Sequence, residues 1–592
     1  MKQFFKIMFA SFFGTLLTIL VITIIFVGII AGIVASAEGD EVTIKPHTIL
    51  HINWKTEIKD RSNDNPFENF DFASMESNKP IGLNDILKNI EKAASDPNID
   101  GIFLDMESVP AGMATEEEIR NKLLKFKESG KWIVSYGNSY DQKAYYLASV
   151  ADNIYMNPEG MILFKGLHAQ VAFLKEMFNK LEIDMQIVRG PNNKYKSAVE
   201  PLMLDKMSEA NREQLQALLN SVWGKMLSAL SESRGISIDD LNRIADNLDL
   251  SMADDALSNN FVDAIIYRDE LINKLKELTE VEDKDDLETV SFSAYTSVKA
   301  QESKKLQKDQ IAVIYAEGDI VQGKGGDGSI GSASMARTIR EVRRNDKIKA
   351  IVFRVNSPGG DALASEEIRR EVELAKNEKP FIVSMGNLAA SGGYWISTNA
   401  DYIFAQPTTI TGSIGVFGVI PNFQALFSNK LGINFDDVMT NKNSDFIDVM
   451  KPMSEFQHEK IDQVIAKIYQ DFTELVAKTR ALELSYVDSI ARGRVWSGID
   501  ALELGLVDEM GGMEDAIAFA AVEAELGENY RITEYPKQKD FFEQIVEELT
   551  GKTTARVFGN ELGEFKTYYD QIQYVSKMNG VQARLPFIFT IE

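Results

Sequence analysis

The sequence predicts an α/β protein in which two tandem repeats of βαβ units follow an N-terminal transmembrane helix. Three observations support this prediction: a long uncharged apolar run near the N-terminus, an internal alignment of the two halves of the chain, and short apolar strands that alternate with helical patterns in both copies. We expect an anchor over residues 1–40, a first repeat over residues 41–305 and a second repeat over residues 306–592.

The N-terminal segment predicts a membrane anchor. Residues 7–37 contain no charged side chain, and this run exceeds the roughly 20 residues that span a bilayer. A signal peptide cleaved after residue 37 is the alternative, but its apolar region would exceed the usual ~7–15 residues. Lys2 and Lys6 precede the run and acidic residues follow it, so the positive-inside rule leaves the amino terminus in the cytoplasm. We expect a single-pass protein of the cytoplasmic (inner) membrane. The repeats would then lie on the periplasmic or extracytoplasmic side.

An internal repeat relates the two halves of the chain. Residues 350–353 (Ala-Ile-Val-Phe) align with residues 101–104 (Gly-Ile-Phe-Leu) at an offset of 249, and this offset holds without a gap through Gly166 and Gly415. Within the aligned block, residues 391–393 (Ser-Gly-Gly) meet residues 142–144 (Gln-Lys-Ala). Only the second copy therefore offers a hydroxyl at this position.

A second difference between the copies concerns a lysine. Residues 195–201 (Tyr-Lys-Ser-Ala-Val-Glu-Pro) align with residues 446–452 at an offset of 251, and Lys196 of the first copy meets Ile447 of the second. One copy thus holds a serine and the other a lysine, which together could make one nucleophile and its base.

Composition excludes several classes of function. Sixty-three basic against 89 acidic residues give a net charge of −26, which disfavours binding to nucleic acid. Without cysteine the chain has no disulfide, thiolate metal site or cysteine nucleophile, and its four histidines lack the HExxH spacing of a zinc protease. We therefore expect neither a metal nor another cofactor.

Ser391 is the candidate nucleophile. It opens a helical pattern directly after a strand, which would expose its hydroxyl and the amide of Gly392, and Gly359 or Gly360 would let a neighbouring backbone approach closely. Residues 358–360 and 387–391 both follow predicted strands, so we expect them to face a common crevice. The alternative is that these small residues only allow close helix packing.

The base that would activate Ser391 has three candidates. Burial can lower the pKa of a lysine from about 10.4 toward neutrality, and Lys196 lies beside apolar residues that could exclude water. Lys194 is its rival, and either lysine could instead be an ordinary solvated surface charge. His168 is the histidine near an aligned segment that could complete a Ser-His-Asp triad.

Four motifs in order carry a resemblance to a known family. They are residues 195–201, 356–360 (Asn-Ser-Pro-Gly-Gly), 390–394 (Ala-Ser-Gly-Gly-Tyr) and 411–415 (Thr-Gly-Ser-Ile-Gly). Through them the chain after the anchor resembles the long, duplicated signal peptide peptidase A family of S49 serine peptidases, within the broader ClpP/crotonase fold. The resemblance implies that Ser391 is the nucleophile and Lys196 the general base, that Ser413 holds the lysine, and that Gly359 and Gly392 are the oxyanion donors.

The resemblance also implies substrates and assembly. It implies a homotetrameric bowl on the membrane, with apolar pockets inside it, that degrades signal peptides left after protein secretion. Two other classes stay open on the residues alone: a crotonase-like acyl-CoA enzyme, against which the negative charge and the Ser/Lys pairing argue, and a non-catalytic membrane scaffold, since one repeat lacks the serine.

Overall fold

A computed structural model describes most of the chain. The described residues are 2–37, 43–63, 70–71, 76–77, 79–282, 284–298, 307–326, 328–538 and 580–585. Both predicted domain boundaries, at 40/41 and at 305/306, lie outside these residues.

The N-terminal helix is α1 (Lys2–Ala37). Its segment Gln3–Ile22 is apolar and none of it is buried against the protein. Among the described residues it is the one helix that is long and apolar enough to cross a membrane, which suggests a membrane-anchored protein.

The first repeat is built on a parallel sheet whose described strands run in the order β12-β9-β7-β6-β1-β13. Parallel strands need crossover connections, and helices supply them here. The strands are β1 (Thr48–Ile52), β2 (Ile58–Lys59), β3 (Phe70–Asp71), β4 (Glu76–Ser77), β5 (Ile81–Gly82), β6 (Ile99–Asp105), β7 (Trp132–Gly137), β8 (Tyr140–Asp141), β9 (Asn153–Met156), β10 (Ile162–Leu163), β11 (Asp184–Val188), β12 (Ala264–Ile265) and β13 (Thr289–Ser291). The helices are α2 (Leu83–Ser95), α3 (Met113–Lys127), α4 (Gln142–Ala148), α5 (Lys175–Lys180), α6 (Glu200–Met203), α7 (Glu209–Arg234), α8 (Ile238–Asn247), α9 (Ala253–Ser258), α10 (Arg268–Leu278) and α11 (Phe292–Thr296).

The second repeat is built on a larger sheet whose main path is β23-β21-β19-β17-β14-β25, with β20 and β24 branching from β19. Its strands are β14 (Gln310–Glu317), β15 (Asp319–Val321), β16 (Ser329–Gly331), β17 (Ile348–Ser357), β18 (Gly359–Asp361), β19 (Phe381–Ala390), β20 (Tyr402–Ala405), β21 (Ile410–Gly412), β22 (Phe417–Asn422), β23 (Val495–Ser497), β24 (Glu509–Met510), β25 (Arg531–Tyr535) and β26 (Gly580–Arg584). Its helices are α12 (Ser332–Arg344), α13 (Ala362–Lys376), α14 (Gly392–Ser397), α15 (Glu455–Thr479), α16 (Leu484–Ile490), α17 (Gly498–Glu503) and α18 (Met513–Glu523).

The internal repeat is visible in the bounds of these elements. Helix α13 begins and ends 249 residues after α3, and β19 begins 249 residues after β7. The predicted α/β fold of two tandem repeats is therefore confirmed at the level of individual elements.

Both faces of the second sheet are apolar and buried. Alternate residues of a strand point to opposite faces, and β14 shows this: Ile311 and Val313 join the core that includes the first repeat, whereas Ala312 and Ile314 pack toward α12 and α13. One face of the second repeat thus shares an apolar core with the first repeat, which fixes the two repeats against each other.

A buried ionic cluster also joins the repeats. Arg354 on β17 donates from Nε to Asp60 (2.8 Å) and from Nη2 to Glu118 (2.6 Å), and both acids belong to the first half of the chain. Glu118 also accepts a hydrogen bond from the Met513 amide at 2.9 Å. Buried charges are tolerated when they are paired in this way, and removing one partner of such a pair typically costs about 3–5 kcal/mol.

A third sheet combines strands from both repeats, in the order β11-β22-β26-β18-β15-β16. Strand β11 of the first repeat pairs antiparallel with β22 of the second. This pairing brings residues 195–201, which follow β11, to the edge of the second sheet.

Residues 358–360 and 387–391, which we expected to be loops that follow strands, are themselves partly strands. Strand β19 continues through Ala390 because Leu388, Ala389 and Ala390 pair with β21. Gly359 and Gly360 begin β18, which pairs with β15 and β26. Part of the main chain of these segments is thus paired in ladders.

Candidate active site

Ser391 lies at the junction between β19 and α14. Its backbone has φ 56° and ψ −113°, outside the regions that residues with a side chain usually adopt, and such conformations concentrate at functional sites. The Ser391 amide donates to the Gly412 carbonyl at 2.8 Å, which holds the junction in place. The side chain is fully buried, and its hydroxyl oxygen lies 2.8 Å from Lys196 Nζ and 3.4 Å from the Gly415 carbonyl oxygen.

Lys196 comes from the first repeat and is fully buried beside Ser391. Besides the serine hydroxyl, its Nζ lies 3.0 Å from the Ser413 carbonyl oxygen and 2.9 Å from Ser413 Oγ. Burial lowers the pKa of Lys196 well below its usual value, because it disfavours the ammonium form. A neutral Nζ can donate to the Ser413 oxygens and keep its lone pair for the Ser391 proton.

Two residues that sequence reasoning missed seat the lysine. Gly493 has φ 79°, and a Cβ added there would lie 2.5 Å from the Lys196 Cβ, so only glycine lets this backbone approach. The buried Gln214 amide donates to the Tyr195 carbonyl (3.0 Å) and to Ser197 Oγ (2.8 Å), on either side of the lysine. Neither residue lies in a motif or in the aligned block, so the sequence offered no signal for them.

The two glycines expected to bind an oxyanion meet beside Ser391. Gly359 has φ 94°, and a Cβ added there would lie 2.6 Å from the Gly392 nitrogen and would collide with the Ala583 carbonyl oxygen. The missing side chain therefore lets two backbone segments converge beside the nucleophile. Backbone N–H groups at such a point can stabilise a developing negative charge.

The rival bases lie elsewhere. Lys194 is exposed, and its Nζ donates to the Tyr195 hydroxyl at 3.0 Å; this hydrogen bond raises the pKa of Lys194, which keeps it an ammonium. His168 is also exposed and makes none of the hydrogen bonds found for the Ser391 side chain. The structure thus brings Ser391, Lys196 and Ser413 together and leaves Lys194 and His168 outside.

The described residues contain no group of three or more His, Cys, Asp or Glu side chains that could hold a metal ion. The groups that converge on Ser391 are an amine, a second serine and main-chain amides and carbonyls. Such a set can take a proton from a hydroxyl and stabilise an oxyanion, which are the two requirements of acyl transfer by a serine.

Comparison with known proteins identifies the family. The model of peptidase family S49 matches the chain twice, over residues 125–282 and 373–527, which together make up more than half of it. The chain belongs to peptidase family S49. Each match falls in one copy of the internal repeat, so the family domain is present twice, and the protein is a serine peptidase.

Individual relatives agree with the family assignment. Protease 4 of Haemophilus influenzae is 36% identical over 455 residues, which cover 74% of this chain and 72% of the relative. The chloroplastic serine protease SPPA of Arabidopsis thaliana is 35% identical over 77% of this chain and 68% of its own. A protein of Enterococcus faecium described as a putative signal peptide peptidase SppA is 37% identical over 30% of this chain and 52% of its own.

Proposed function

We propose that Ser391 and Lys196 form the catalytic dyad of a membrane-anchored endopeptidase that degrades signal peptides left after protein secretion. The observation that carries the proposal is the 2.8 Å distance between Lys196 Nζ and Ser391 Oγ, with both groups fully buried and the pKa of the lysine lowered. A serine needs a neutral base at this distance, and a solvated lysine would be protonated.

The reaction follows from these contacts. Lys196 Nζ takes the hydroxyl proton of Ser391, whose oxygen attacks the peptide carbonyl carbon, and the amides of Gly359 and Gly392 bind the oxyanion. The Lys196 ammonium then gives its proton to the leaving amine, and the peptide bond breaks to leave an acyl-enzyme. Lys196 next takes a proton from a water molecule whose oxygen attacks this ester, and it returns the proton to Ser391 Oγ as the acyl product leaves. Ser413 holds Nζ in place throughout through its hydroxyl and its carbonyl.

The substrate proposal rests on the N-terminal helix and on the relatives. Helix α1 would hold the cleft beside the bilayer in which signal-peptide remnants lie, so the two would meet at high effective concentration. The Enterococcus faecium relative is described as a putative signal peptide peptidase. We propose the cytoplasmic membrane as the location, with the repeats of residues 41–305 and 306–592 on the outer side. Protease added to spheroplasts would then digest both repeats; full protection would place them in the cytoplasm.

We also propose a homotetramer. Large apolar side chains between β22 and α15 are exposed in the described single chain, among them Leu431, Ile433, Phe435 and Val438. Exposed apolar patches of this kind commonly mark contacts between proteins. Light scattering of the full chain in detergent measures the mass of the assembly. A monomeric mass would contradict the homotetramer.

Labelling with a fluorophosphonate probe tests the dyad. We expect the wild-type protein to be labelled and Ser391→Ala to stay dark, while the Gln142→Ala variant, changed at the equivalent position of the first repeat, is labelled normally. Cleavage of short peptides rich in Leu, Phe or Ala should follow the same order. An unlabelled wild-type protein would favour the non-catalytic scaffold instead.

A further inference from the structure

Residues 492–495 (Arg-Gly-Arg-Val), which we call the clamp segment, contact both of the segments that position the proposed base. The Ser413 amide donates to the Arg494 carbonyl at 2.6 Å, and the Gly493 amide donates to the Ile414 carbonyl at 2.8 Å. Ser413 has φ 51°, a left-handed conformation that residues with a side chain rarely adopt. These hydrogen bonds hold Ser413 in the conformation in which both of its oxygens reach the lysine amine.

The clamp segment also contacts the lysine segment of the first repeat. The Tyr195 amide donates to the Arg492 carbonyl at 2.9 Å, next to the lysine. A Cβ added to Gly493 would lie 2.7 Å or less from three atoms of Lys196. The same four residues thus hold the backbone of the lysine and that of the serine that binds its amine, so a shift of the clamp segment would move the amine relative to its partners.

Two consecutive residues of α7 connect the clamp segment to the lysine segment. Gln214 accepts from the Val495 amide at 3.3 Å and donates to the Tyr195 carbonyl at 3.0 Å. Glu213 makes the corresponding links through side chains, since it accepts from Arg494 Nη1 at 2.9 Å and from the Tyr195 hydroxyl at 3.1 Å. The two segments are therefore joined once through main-chain groups and once through side chains.

The Arg494 guanidinium completes the side-chain connection. Its central carbon lies 4.8 Å from the centroid of the Tyr195 ring and 4.4 Å from that of the Trp496 ring. A guanidinium is attracted to the face of an aromatic ring, and the attraction grows when water is excluded. The Arg494 side chain is 17% exposed, so these contacts are largely shielded from water. The side chain thus fastens the clamp segment to the ring that directly precedes the lysine.

Other charged side chains also surround the lysine segment. Lys194 Nζ lies 4.7 Å from the centroid of the Tyr195 ring. Arg189 donates to the Lys196 carbonyl at 3.2 Å. Burial is the cause of the lowered pKa of Lys196. Arg494 would therefore act on the lysine by holding the surrounding chain and excluding water, rather than through its own charge.

We propose that Arg494 is a positioning residue of the serine–lysine dyad, whose guanidinium locks the clamp segment against Tyr195 and so keeps the lysine amine within hydrogen-bond distance of Ser391. The inference rests on the proposed dyad for its effect on activity, whereas the position of the lysine can be measured without activity. Reactive groups need such support, because their productive geometry is held by neighbours whose own rotamers are locked.

Hydrolysis of a short peptide by Arg494→Gln tests the inference. The change removes the cation from both rings, so Lys196 should shift and kcat should fall about tenfold or more, with KM unchanged, since a displacement of about 1 Å can cost roughly 10²-fold. Water admitted to the site would raise the pKa of Lys196 toward its ordinary value, so the acid limb of the kcat/KM profile should move to higher pH. Arg494→Lys keeps a cation near the rings and should recover part of kcat.

Arg268→Gln is the matched control. The Arg268 guanidinium also lies over two aromatic rings, those of Phe103 (5.0 Å) and Tyr136 (5.3 Å), and it pairs with Asp105. Its loss should lower stability but leave the pH profile and kcat per active site, titrated with the fluorophosphonate probe, as in the wild type. If Arg494→Gln also changed stability alone, the role of Arg494 would be structural and the inference would be overturned.

Glu213→Gln covers the case in which Arg494→Gln does not fold. Glu213 is half exposed, so its replacement should preserve the fold while it weakens the bond to the guanidinium. We expect kcat to fall by up to about fivefold, the worth of one hydrogen bond, and the acid limb to move in the same direction. Unchanged kcat and an unchanged profile in both Glu213→Gln and Arg494→Lys would overturn the inference.

Crystal structures of Arg494→Gln and Glu213→Gln measure the position of the lysine without activity. We expect Lys196 Nζ to move beyond hydrogen-bond distance of Ser391 Oγ, from which it lies 2.8 Å in the wild type. A displaced amine, in a protein whose wild type hydrolyses no peptide, would support Arg494 as a positioning residue and sink the proposed dyad. Hydrolysis that needs Ser391 and Lys196 but is the same in both variants as in the wild type would keep the dyad and overturn the inference.

Discussion

The two repeats share one backbone plan, but their equivalent positions carry different chemistry. In the second repeat the Ser391 hydroxyl lies 3.4 Å from the Gly415 carbonyl oxygen, and in the first repeat the Gln142 side-chain amide donates to the equivalent carbonyl, that of Gly166, at 3.1 Å. The same main-chain acceptor thus holds a reactive group in one copy and an unreactive amide in the other.

The position after the serine differs more sharply. Gly392 leaves the backbone open in the second repeat, whereas its equivalent Lys143 extends a side chain whose Nζ donates to the Ala111 carbonyl at 2.8 Å. Ala111 is the equivalent of Gly360, so the Lys143 side chain contacts the segment of the first repeat that corresponds to β18. The first repeat therefore lacks the bare backbone that Gly392 provides in the second.

The lysine shows the reverse asymmetry. Lys196 is buried because β11 pairs with β22 and brings the following segment against Ser413 and Gly493. Its equivalent in the second repeat, Ile447, is 46% exposed in the described chain. In the proposed dyad each repeat thus contributes one of the two groups, so the duplicated chain would act as a single unit.

The largest expected effect comes from breaking that unit. Ser391→Ala and Lys196→Ala should each lower kcat/KM by roughly 10⁴-fold, because the two groups act together. Their matched controls, Gln142→Ala and Lys194→Ala, should stay near wild-type activity. Peptide hydrolysis with circular dichroism as a fold check measures this, and an inactive Lys194→Ala beside an active Lys196→Ala would show that the base is misassigned.

A change at Gly493 should move Lys196 without removing it. In Gly493→Ala the new methyl group would lie 2.5 Å from the Lys196 Cβ, and a displacement of about 1 Å can cost roughly 10²-fold in rate. Gly505→Ala is the control, since Gly505 also has positive φ but its nearest neighbour would be a Leu482 methyl at 3.6 Å. Equal losses in both variants would point to backbone strain alone. The readout is kcat for a short peptide.

The pH dependence of the reaction tests whether the lysine acts as a neutral base. The pKa of Lys196 is lowered by burial from 10.5, so activity should be lost as pH falls through the lowered pKa and reach a plateau above it. Below that pKa, kcat/KM should fall by about tenfold per pH unit. Lys194→Ala should keep the same profile, and chelators should change nothing. If kcat/KM rose only at pH values near the ordinary pKa of a free lysine, this result would contradict a buried base.

A smaller effect is expected at Ser413. Ser413→Ala removes one of the two Ser413 oxygens that hold Lys196 Nζ, while the carbonyl at 3.0 Å remains. The loss of one hydrogen bond of about 1 kcal/mol corresponds to roughly fivefold in kcat. Ser413→Thr, which keeps the hydroxyl, should recover part of it. Complete inactivity of Ser413→Ala with a preserved fold would mean that the serine takes part in proton transfer itself.

Part of the fold and of the candidate site could be predicted from the sequence. The repeat, the strand and helix order and the segments around Ser391, Lys196 and Ser413 could be predicted because each depends on local patterns that recur at a fixed offset. The roles of Gln214 and Gly493 could not, because these residues act through contacts between separate segments of the chain that carry no motif. Their roles depend on which backbones approach each other, which only the folded chain defines.

The smallest effect on activity is expected at Glu116 of the first repeat, which is the equivalent of Ser365 in the second repeat. Glu116 is fully buried, its carboxylate oxygens lack hydrogen-bond partners in the described protein, and Lys143 Nζ is 3.8 Å away, too far for a hydrogen bond. Burial, opposed by Lys143, raises the pKa of Glu116 to about 8. Between pH 4.5 and about 8 the folded chain therefore keeps a proton that the unfolded chain releases, so stability is lost as pH rises, by up to about 1.4 kcal/mol per pH unit.

Replacing this carboxyl should remove that pH dependence and leave catalysis intact. Glu116→Gln carries no titrating proton, so its free energy of unfolding, measured with urea, should gain on that of the wild type between pH 5 and pH 8. Ser365→Ala at the equivalent position of the second repeat should show no such pH-dependent difference, because no carboxyl is buried there. Parallel pH profiles for Glu116→Gln and the wild type would mean that Lys143 keeps Glu116 ionised, and the first repeat would then hold a buried ion pair where the second holds its cleft.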